Sequence, residues 1–136
     1  MRPLAENRDM SDPNPYDIAI SVAARFIDEQ SRPSDNRYVF AYTITIQNVG
    51  EVGAQLLSRH WIITDGNGKV QEVEGDGVVG EQPHMRPGEE FQYTSGAVLE
   101  TSVGTMRGSY RLVAEDGTMF DAPIPQFTLS IPRTLH

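Results

Sequence analysis

Apolar and polar residues alternate with a period of two along most of this chain, which is the pattern of β-strands that bury one face. The first alternating stretch begins at Tyr16, and its apolar face is formed by Ile18, Ile20, Val22, Ala24 and Phe26. The clearest stretch spans residues 37–47, with an apolar face formed by Tyr38, Phe40, Tyr42, Ile44 and Ile46. Residues 30–36, Gln-Ser-Arg-Pro-Ser-Asp-Asn, lie between them and are turn-forming types. The pattern therefore predicts two strands joined by a short loop.

The middle of the chain predicts a hairpin. A strand over residues 55–64 is expected to have one side formed by Leu57, Trp61 and Ile63, and the other by His60 and Ile62. Residues 65–68, Asp-Gly-Asn-Gly, favour a tight turn, because Gly and Asn tolerate the positive φ angles that such turns need. The returning strand, residues 69–74, carries Glu72 and Glu74. Charges of this kind are typical of a strand at the edge of a sheet.

The second half of the chain continues the pattern. A strand over residues 104–114 is predicted to have an apolar face formed by Met106, Gly108, Tyr110 and Leu112. After a turn at Asp116 and Gly117, a short segment at Met119 and Phe120 is expected to pair back, and a separate last strand follows, with Phe127, Leu129 and Ile131 on one face. Seven or eight such strands without a helical period predict an antiparallel β-sandwich of the immunoglobulin or fibronectin type III kind. A small closed barrel is the competing architecture.

The 136 residues are enough for one domain. Residues 1–15 hold three prolines and no periodic apolar pattern, so we expect a disordered N-terminal tail there. The domain is predicted over residues 16–132, and residues 133–136 form a short C-terminal tail.

Composition narrows the function classes. The net charge is −8, from 11 basic and 19 acidic residues without a Lys/Arg cluster, so nucleic acid is not expected as a partner. There is no cysteine, which excludes disulfides and thiolate metal sites. No apolar run approaches the length of about 18 residues that spans a membrane, so no membrane insertion is expected. The N-terminal residues lack the apolar core of a signal peptide, and we expect a cytoplasmic protein.

Residues 75–80 read Gly-Asp-Gly-Val-Val-Gly and match the Gly-x-Gly-x-x-Gly pattern of dinucleotide-binding proteins. That pattern binds pyrophosphate at the start of a helix. Here Pro83 and Pro87 follow closely and prevent a helix, so the glycines belong to a loop between strands. The loop covers residues 75–90, and loops of this length within a small domain are often functional. Its candidate binding residues are Gly75, Asp76, Gly77, Val78, Val79 and Gly80.

Within the loop, we expect one of Val78 and Val79 to pack in the core and the other to be an exposed, apolar tip, with Met85 packed beneath. The candidate interaction surface adds residues from the neighbouring strand end and from the loop, namely Arg59, His60, Trp61, Gln82 and Pro83. His60 is interpreted as a structural or interface residue.

Two kinds of small ligand are alternatives. Backbone N–H groups of the loop can bind pyrophosphate or a nucleotide, although Asp76 and Glu81 repel phosphate. A divalent cation can bind carboxylates, and the candidates are Glu72, Glu74, Asp76 and Glu81. An acidic, solvated edge is the competing interpretation of these four residues.

No catalytic residues are identified. The three histidines, His60, His84 and His136, have no metal-binding spacing, and no serine lies in a Gly-x-Ser-x-Gly motif. We therefore expect neither an enzyme nor a cofactor.

Several ordered segments resemble the ApaG family, also called CorD. They are Tyr-Val-Phe-Ala-Tyr-Thr-Ile-Thr-Ile at 38–46, Leu-Leu-Ser-Arg-His-Trp at 56–61, Gly-Asp-Gly-Val-Val-Gly-Glu-Gln-Pro at 75–83, Pro-Gly-Glu at 87–89, Tyr-Thr-Ser-Gly at 93–96, Gly-Thr-Met-Arg-Gly-Ser-Tyr at 104–110 and Ile-Pro-Gln-Phe at 124–127. The resemblance implies a fibronectin type III-like sandwich in a small bacterial protein and an association with cobalt resistance and magnesium efflux. It also implies a binding module, since similar eukaryotic domains are attached to F-box and DNA-polymerase-interacting proteins. The family name reflects a gene neighbourhood with a diadenosine tetraphosphate hydrolase, and the resemblance implies no such activity.

The residues and the resemblance together predict a non-enzymatic domain that binds another protein. Its contact surface is expected to include the glycine loop and the strand end from Arg59 to Trp61.

Overall fold

The computed structural model describes residues 14–132, which form eight β-strands and two short 3₁₀ helices. The strands are β1 (Ile18–Phe26), β2 (Tyr38–Asn48), β3 (Ala54–Asp65), β4 (Val70–Asp76), β5 (His84–Met85), β6 (Glu90–Leu99), β7 (Val103–Ala114) and β8 (Met119–Ser130). The 3₁₀ helices, Asp28–Gln30 and Pro33–Asp35, lie between β1 and β2. Within the described residues, no helix is long and apolar enough to cross a membrane.

The strands form two antiparallel sheets. The first has the order β1-β2-β6, and the second has the order β4-β3-β7-β8, with β5 also paired to β3. This arrangement confirms the predicted β-sandwich, and the two separate sheets rule out the alternative of a single closed barrel. The strand β4 lies at the edge of its sheet, as its glutamates predict.

The predicted tails fall largely outside the described residues, on residues 1–13 and 133–136. Two residues that the prediction assigns to the tail are described: Asn14 is exposed, and Pro15 is half-buried against the domain. There the Pro15 carbonyl accepts a hydrogen bond from the Glu51 N–H at 3.0 Å.

The core lies between the two sheets. From β2 it receives the predicted alternate residues Phe40, Tyr42, Ile44 and Ile46, each at most 5% exposed. The second sheet contributes Leu56, Trp61, Met106, Tyr110, Leu112 and Leu129, all equally inaccessible to solvent. Each such side chain stabilises the fold by roughly 1.5–3 kcal/mol relative to its exposure to water. The predicted inward faces of β2 and β7 are confirmed.

The predicted facing of Leu57 is wrong. The register of β3 against β7 shifts between Leu56 and Ser58, so Leu57 is an additional residue in a β-bulge. Leu56 is fully buried in the place that the prediction gave to Leu57. Before the bulge Leu56 faces the core, and after it the odd-numbered positions do. Trp61 is therefore buried. A strictly alternating reading cannot detect one inserted residue.

The prediction of two separate segments after residue 118 is also wrong, because β8 is one continuous strand from Met119 to Ser130. Pro123 and Pro125 lie within it, which is tolerated because β8 is an edge strand with one side free of sheet hydrogen bonds. The register between β7 and β8 shifts between Met106 and Gly108, which is opposite the segment of β8 that contains Pro125.

The link between β4 and β6 is more ordered than the predicted loop over residues 75–90. Strand β4 continues through Gly75 and Asp76, and β5 pairs with the start of β3. His84, expected in the loop, is therefore a strand residue, and only residues 77–83 and 86–89 are irregular.

Asn48 is a buried polar residue that holds the end of β2, the following turn and β5 together. Its Nδ2 donates hydrogen bonds to the carbonyl oxygens of Val52 and Met85, both at 2.9 Å. Its Oδ1 accepts a hydrogen bond from the Gly50 N–H, also at 2.9 Å. The side chain is 1% exposed, so solvent cannot replace these bonds.

We expect Asn48→Ala to lower the free energy of unfolding by about 2 kcal/mol, because it leaves buried backbone groups without partners. Asn67→Ala is the control, since Asn67 lies exposed in the β3–β4 turn and its loss should change stability by less than about 0.5 kcal/mol. Urea unfolding of both variants measures the difference. Equal, small effects would contradict the structural role given to Asn48.

Candidate functional site

A tight turn forms the tip of the glycine loop. The N–H groups of Val78 and Glu81 donate to each other's carbonyl oxygens at 2.8 and 2.9 Å. The two residues between them, Val79 and Gly80, have φ angles of 44° and 81°. A two-residue turn with both angles positive is of type I′, and it normally holds Asn and Gly. A β-branched residue in this conformation is strained, at a cost of about 1–3 kcal/mol.

The two valines of the loop have opposite environments. Val78 is fully buried and belongs to the core, as does Met85, whereas Val79 is 54% exposed. The expectation of one core valine and one exposed tip is therefore confirmed. Val78 is the anchor of the turn and Val79 is its tip.

The three glycines of the motif have three separate structural causes. A Cβ on Gly75 would lie 2.9 Å from the guanidinium carbon of Arg59. A Cβ on Gly77 would collide with the Glu81 carbonyl oxygen, and Gly77 also has a φ of 64°. Gly80 has open space around it and is required for its positive φ alone. These causes are steric and conformational, and they account for the motif without a bound dinucleotide.

Arg59 is held by the glycine loop. Its Nη1 donates hydrogen bonds to the carbonyl oxygens of Asp76 and Gly77, both at 3.0 Å. A Cβ on Gly75 would lie 2.9 Å from each of Cζ, Nη1 and Nη2, so the guanidinium lies flat against this glycine. The residue is half-buried. Within residues 14–132, Arg59 forms no ion pair with a carboxylate.

Three tyrosine hydroxyls lie in the interior near Arg59. The hydroxyls of Tyr93 and Tyr110 are 2.6 Å apart, and Tyr42 and Ser95 line the same cavity. Burial raises the pKa of Tyr93 to about 12, and burial likewise raises the pKa values of Tyr42 and Tyr110. The Arg59 charge acts in the opposite direction on all three pKa values. At neutral pH these hydroxyls are therefore uncharged and able to donate hydrogen bonds.

Arg59 faces a crevice between the edge strands β4 and β6, which we call the seam crevice. Its first part, about 290 Å³, is lined by Tyr42, Arg59, Trp61, Asp76, Val78, Val79, Gly80, Tyr93 and Ser95. A second part, about 360 Å³, shares Tyr42, Arg59, Trp61 and Ser95 and reaches along the strand edges to Val73 and Val98. The exposed tip of the glycine loop thus lies at one end of a continuous opening between the sheets.

The sequence-predicted surface residues of β3 do not form one surface. Trp61 is 3% exposed and packs edge-on against Tyr42 with ring centroids 5.5 Å apart, so it contributes to the floor of the crevice and not to the outside. Arg59 faces the same crevice. His60 lies on the opposite, outer face of the sheet, where its Nε2 is 2.8 Å from Glu72. The alternation of a strand makes this division between neighbours unavoidable.

The loop candidates Gln82 and Pro83 anchor the loop to β3. The Gln82 Nε2 donates to the Leu57 carbonyl oxygen at 2.9 Å, and the Pro83 carbonyl oxygen accepts from the Leu56 N–H at 3.0 Å. Gln82 remains exposed and Pro83 is partly so. They lie on the same loop as Val79 and can contribute to a shared contact surface.

The carboxylates proposed as cation ligands are spread along β4 and the loop. Glu72 forms a hydrogen bond with His60, and Glu74 and Asp76 line an open outer groove of about 600 Å³. That groove also holds the ion pair between Arg111 and Asp121, with Nε and Oδ1 3.0 Å apart. In residues 14–132, no three His, Asp or Glu side chains are placed to hold a metal ion. The cation site remains a prediction from sequence alone.

Sequence reasoning missed Tyr42, Tyr93 and Ser95 as site residues. The signal was present, because alternation places Tyr42 and Tyr110 on predicted inward faces, and a buried tyrosine hydroxyl requires a hydrogen-bond partner, which for Tyr110 is Tyr93. A tyrosine on each of two predicted inward faces therefore indicates a polar cluster between the sheets.

Comparison with known proteins gives consistent results. The family model described as the ApaG domain matches residues 28–114. Protein ApaG of Dechloromonas aromatica is 64% identical over 127 residues, covering 93% of this chain and all of that protein. Protein ApaG of Thiobacillus denitrificans is 65% identical over the same length and coverage. A crystal structure of a protein described as ApaA from Bordetella pertussis is similar with a TM-score of 0.86 and 57% identity, covering 89% of this chain and 98% of that one.

We expect Val79→Gly to raise the free energy of unfolding by about 1 kcal/mol, because glycine adopts the positive φ of the turn without strain. Val70→Gly is the matched control, since Val70 is an exposed valine of β4 with 59% exposure. That variant should lose about 1 kcal/mol, as glycine does within a strand. Chemical unfolding distinguishes the two, and an equal loss in both would show that Val79 is not strained.

Proposed function

The chain belongs to the ApaG family, and on that premise we propose that it is a non-enzymatic domain that binds another protein through the seam crevice and the loop beside it. The contact surface consists of the crevice together with Val79, Gln82 and Pro83.

The observation that carries the proposal is the conformation of Val79. An apolar side chain at the tip of a loop is 54% exposed to water and is held at a φ of 44°. Strained conformations of this kind concentrate at functional sites, because the fold keeps them only where the surrounding structure enforces them. The buried Val78 and the hydrogen bonds of Gln82 supply that enforcement. The result is a rigid apolar tip, which suits a binding surface.

The strands on either side of the crevice suit an extended segment of a partner. Both β4 and β6 are edge strands, and edge strands have backbone groups available for pairing with another chain. Val98 is 50% exposed and lines the second part of the crevice, whereas Val79 lines the first part. An extended segment between these two valines would cover apolar surface at both ends.

The environments of the two described histidines favour binding over catalysis. His60 is paired with Glu72 on the outer face, and His84 lies 3.3 Å from Glu115. Neither lines the seam crevice. We therefore assign both to polar contacts with surface carboxylates, which contribute little energy individually.

The pyrophosphate alternative has less support from the geometry of the loop. The Gly77 N–H donates to the Leu57 carbonyl oxygen at 2.8 Å, and the Val78 N–H donates to Glu81. Two of the N–H groups that would form an anion-binding nest are thus already used.

Val79→Asp should abolish capture of at least one protein from a lysate of the source cells, because it places a charge in the apolar contact. Val103→Asp is the matched control, since Val103 is 42% exposed and lies outside the crevice. Circular dichroism of both variants verifies that the sandwich is intact. If the two variants capture the same proteins as the unmodified chain, the proposed surface is wrong.

A further inference from the structure

We propose that Arg59 in the seam crevice is the binding site for a single carboxylate group. The inference does not rest on the protein-binding proposal, because a free organic acid and an acidic residue of a protein present the same chemistry.

The first argument is the charge of Arg59. A cation that is partly removed from water requires an opposite charge or good hydrogen-bond acceptors. From the described residues Arg59 has only the carbonyl oxygens of Asp76 and Gly77, and both accept from Nη1. The Nε and Nη2 atoms have no acceptor among these residues. These two atoms form one edge of the guanidinium, the edge that binds a carboxylate through two parallel hydrogen bonds.

The second argument is that this edge is held in place. The two carbonyl oxygens hold Nη1 at 3.0 Å, and the guanidinium lies against Gly75, where a side chain would collide with it. A cation whose orientation is set before binding loses little conformational freedom on binding, and this improves affinity. The first glycine of the motif thereby acquires a role in the site.

The third argument is the set of hydroxyl donors in the same cavity. Tyr42, Tyr93 and Ser95 line it together with Arg59. When the Tyr110 hydroxyl donates to the Tyr93 oxygen, the Tyr93 proton is left for a ligand in the cavity that Tyr93 lines. Burial raises the pKa of Tyr93 to about 12, so its proton is retained at neutral pH.

The charges around the cavity favour a singly charged ligand over phosphate. The acidic residue Asp76 borders both this cavity and the outer groove, and the whole chain has a net charge of −8. Both repel a doubly charged anion more than a carboxylate. The planar carboxylate also matches the fork of the guanidinium. The cavity of about 290 Å³, with Trp61 and Tyr42 in its lining, has space and apolar surface for the group that carries the carboxylate.

The test is an amide NMR titration of the full chain with benzoate and with its neutral analogue benzamide. Millimolar benzoate should shift the amides of Gly75, Val79 and Gly80 and the Arg59 Nε–H, and benzamide should not. A second pair, N-acetyl-Ala-Glu-Ala-amide and its Gln counterpart, tests a carboxylate carried by a peptide. A response to benzoate alone indicates a small-molecule acid, and a stronger response to the Glu peptide indicates a protein ligand. Inorganic phosphate should bind more weakly than either carboxylate.

Variants identify the responsible group. Arg59→Lys keeps the charge but removes the fork, and it should weaken benzoate binding roughly tenfold or more, as expected for loss of a charge-assisted hydrogen bond. Tyr42→Phe removes one hydroxyl and should weaken binding severalfold, which provides a second reading if Arg59→Lys disturbs the strands. Arg107→Gln is the control and should leave affinity unchanged, because Arg107 is exposed on β7 and lines neither the seam crevice nor the outer groove, which Arg59 also lines.

Equal responses to benzoate and benzamide, a flat response to every carboxylate, or unchanged affinity in both Arg59→Lys and Tyr42→Phe would overturn the inference. The outcome is separable from the protein-binding proposal. Benzoate binding with no effect of Val79→Asp on protein capture would retain the carboxylate site and remove the proposed protein surface.

Discussion

The β-bulge at Leu57 is the constraint on which the rest of the structure depends. Strand β3 is central in its sheet, and Leu56 faces the core before the bulge. Without the additional residue, Arg59 and Trp61 would point to the outer face, because strand side chains alternate. The bulge turns both inward. The same bulge therefore places Trp61 in the core and Arg59 in the seam crevice, and His60 stays on the outer face.

The glycine motif depends on that inward arginine. Gly75 leaves space for the guanidinium, and the carbonyl oxygens of Asp76 and Gly77 orient it. Beyond them the chain turns sharply, with Val78 in the core and Val79 exposed at the tip. A sequence that matches a phosphate-binding pattern thus holds the side chain of Arg59 in place. Only the sequence pattern resembles a dinucleotide site, because the chain continues into strand β5 and not into a helix.

The sequence was sufficient for the sandwich, the inward face of β2, the hairpin after β3 and the edge position of β4, because each depends on local alternation or turn chemistry. It was insufficient for Leu57 and for the continuity of β8, because bulges and edge prolines are decided by pairing with β7. The site was found only in part. The loop and Arg59 were identified, but Trp61 was placed on the surface, and the tyrosine hydroxyls were overlooked because their proximity arises across two sheets.

The central claim is that binding occurs in the seam crevice and not on the outer groove. The most direct measurement is an amide shift map of the labelled chain on addition of a protein that it captures. The account predicts shifts along β4 and β6 and in residues 78–83, with little change around Arg111 and Asp121. Shifts concentrated around Arg111 and Asp121, with the crevice unaffected, would contradict it.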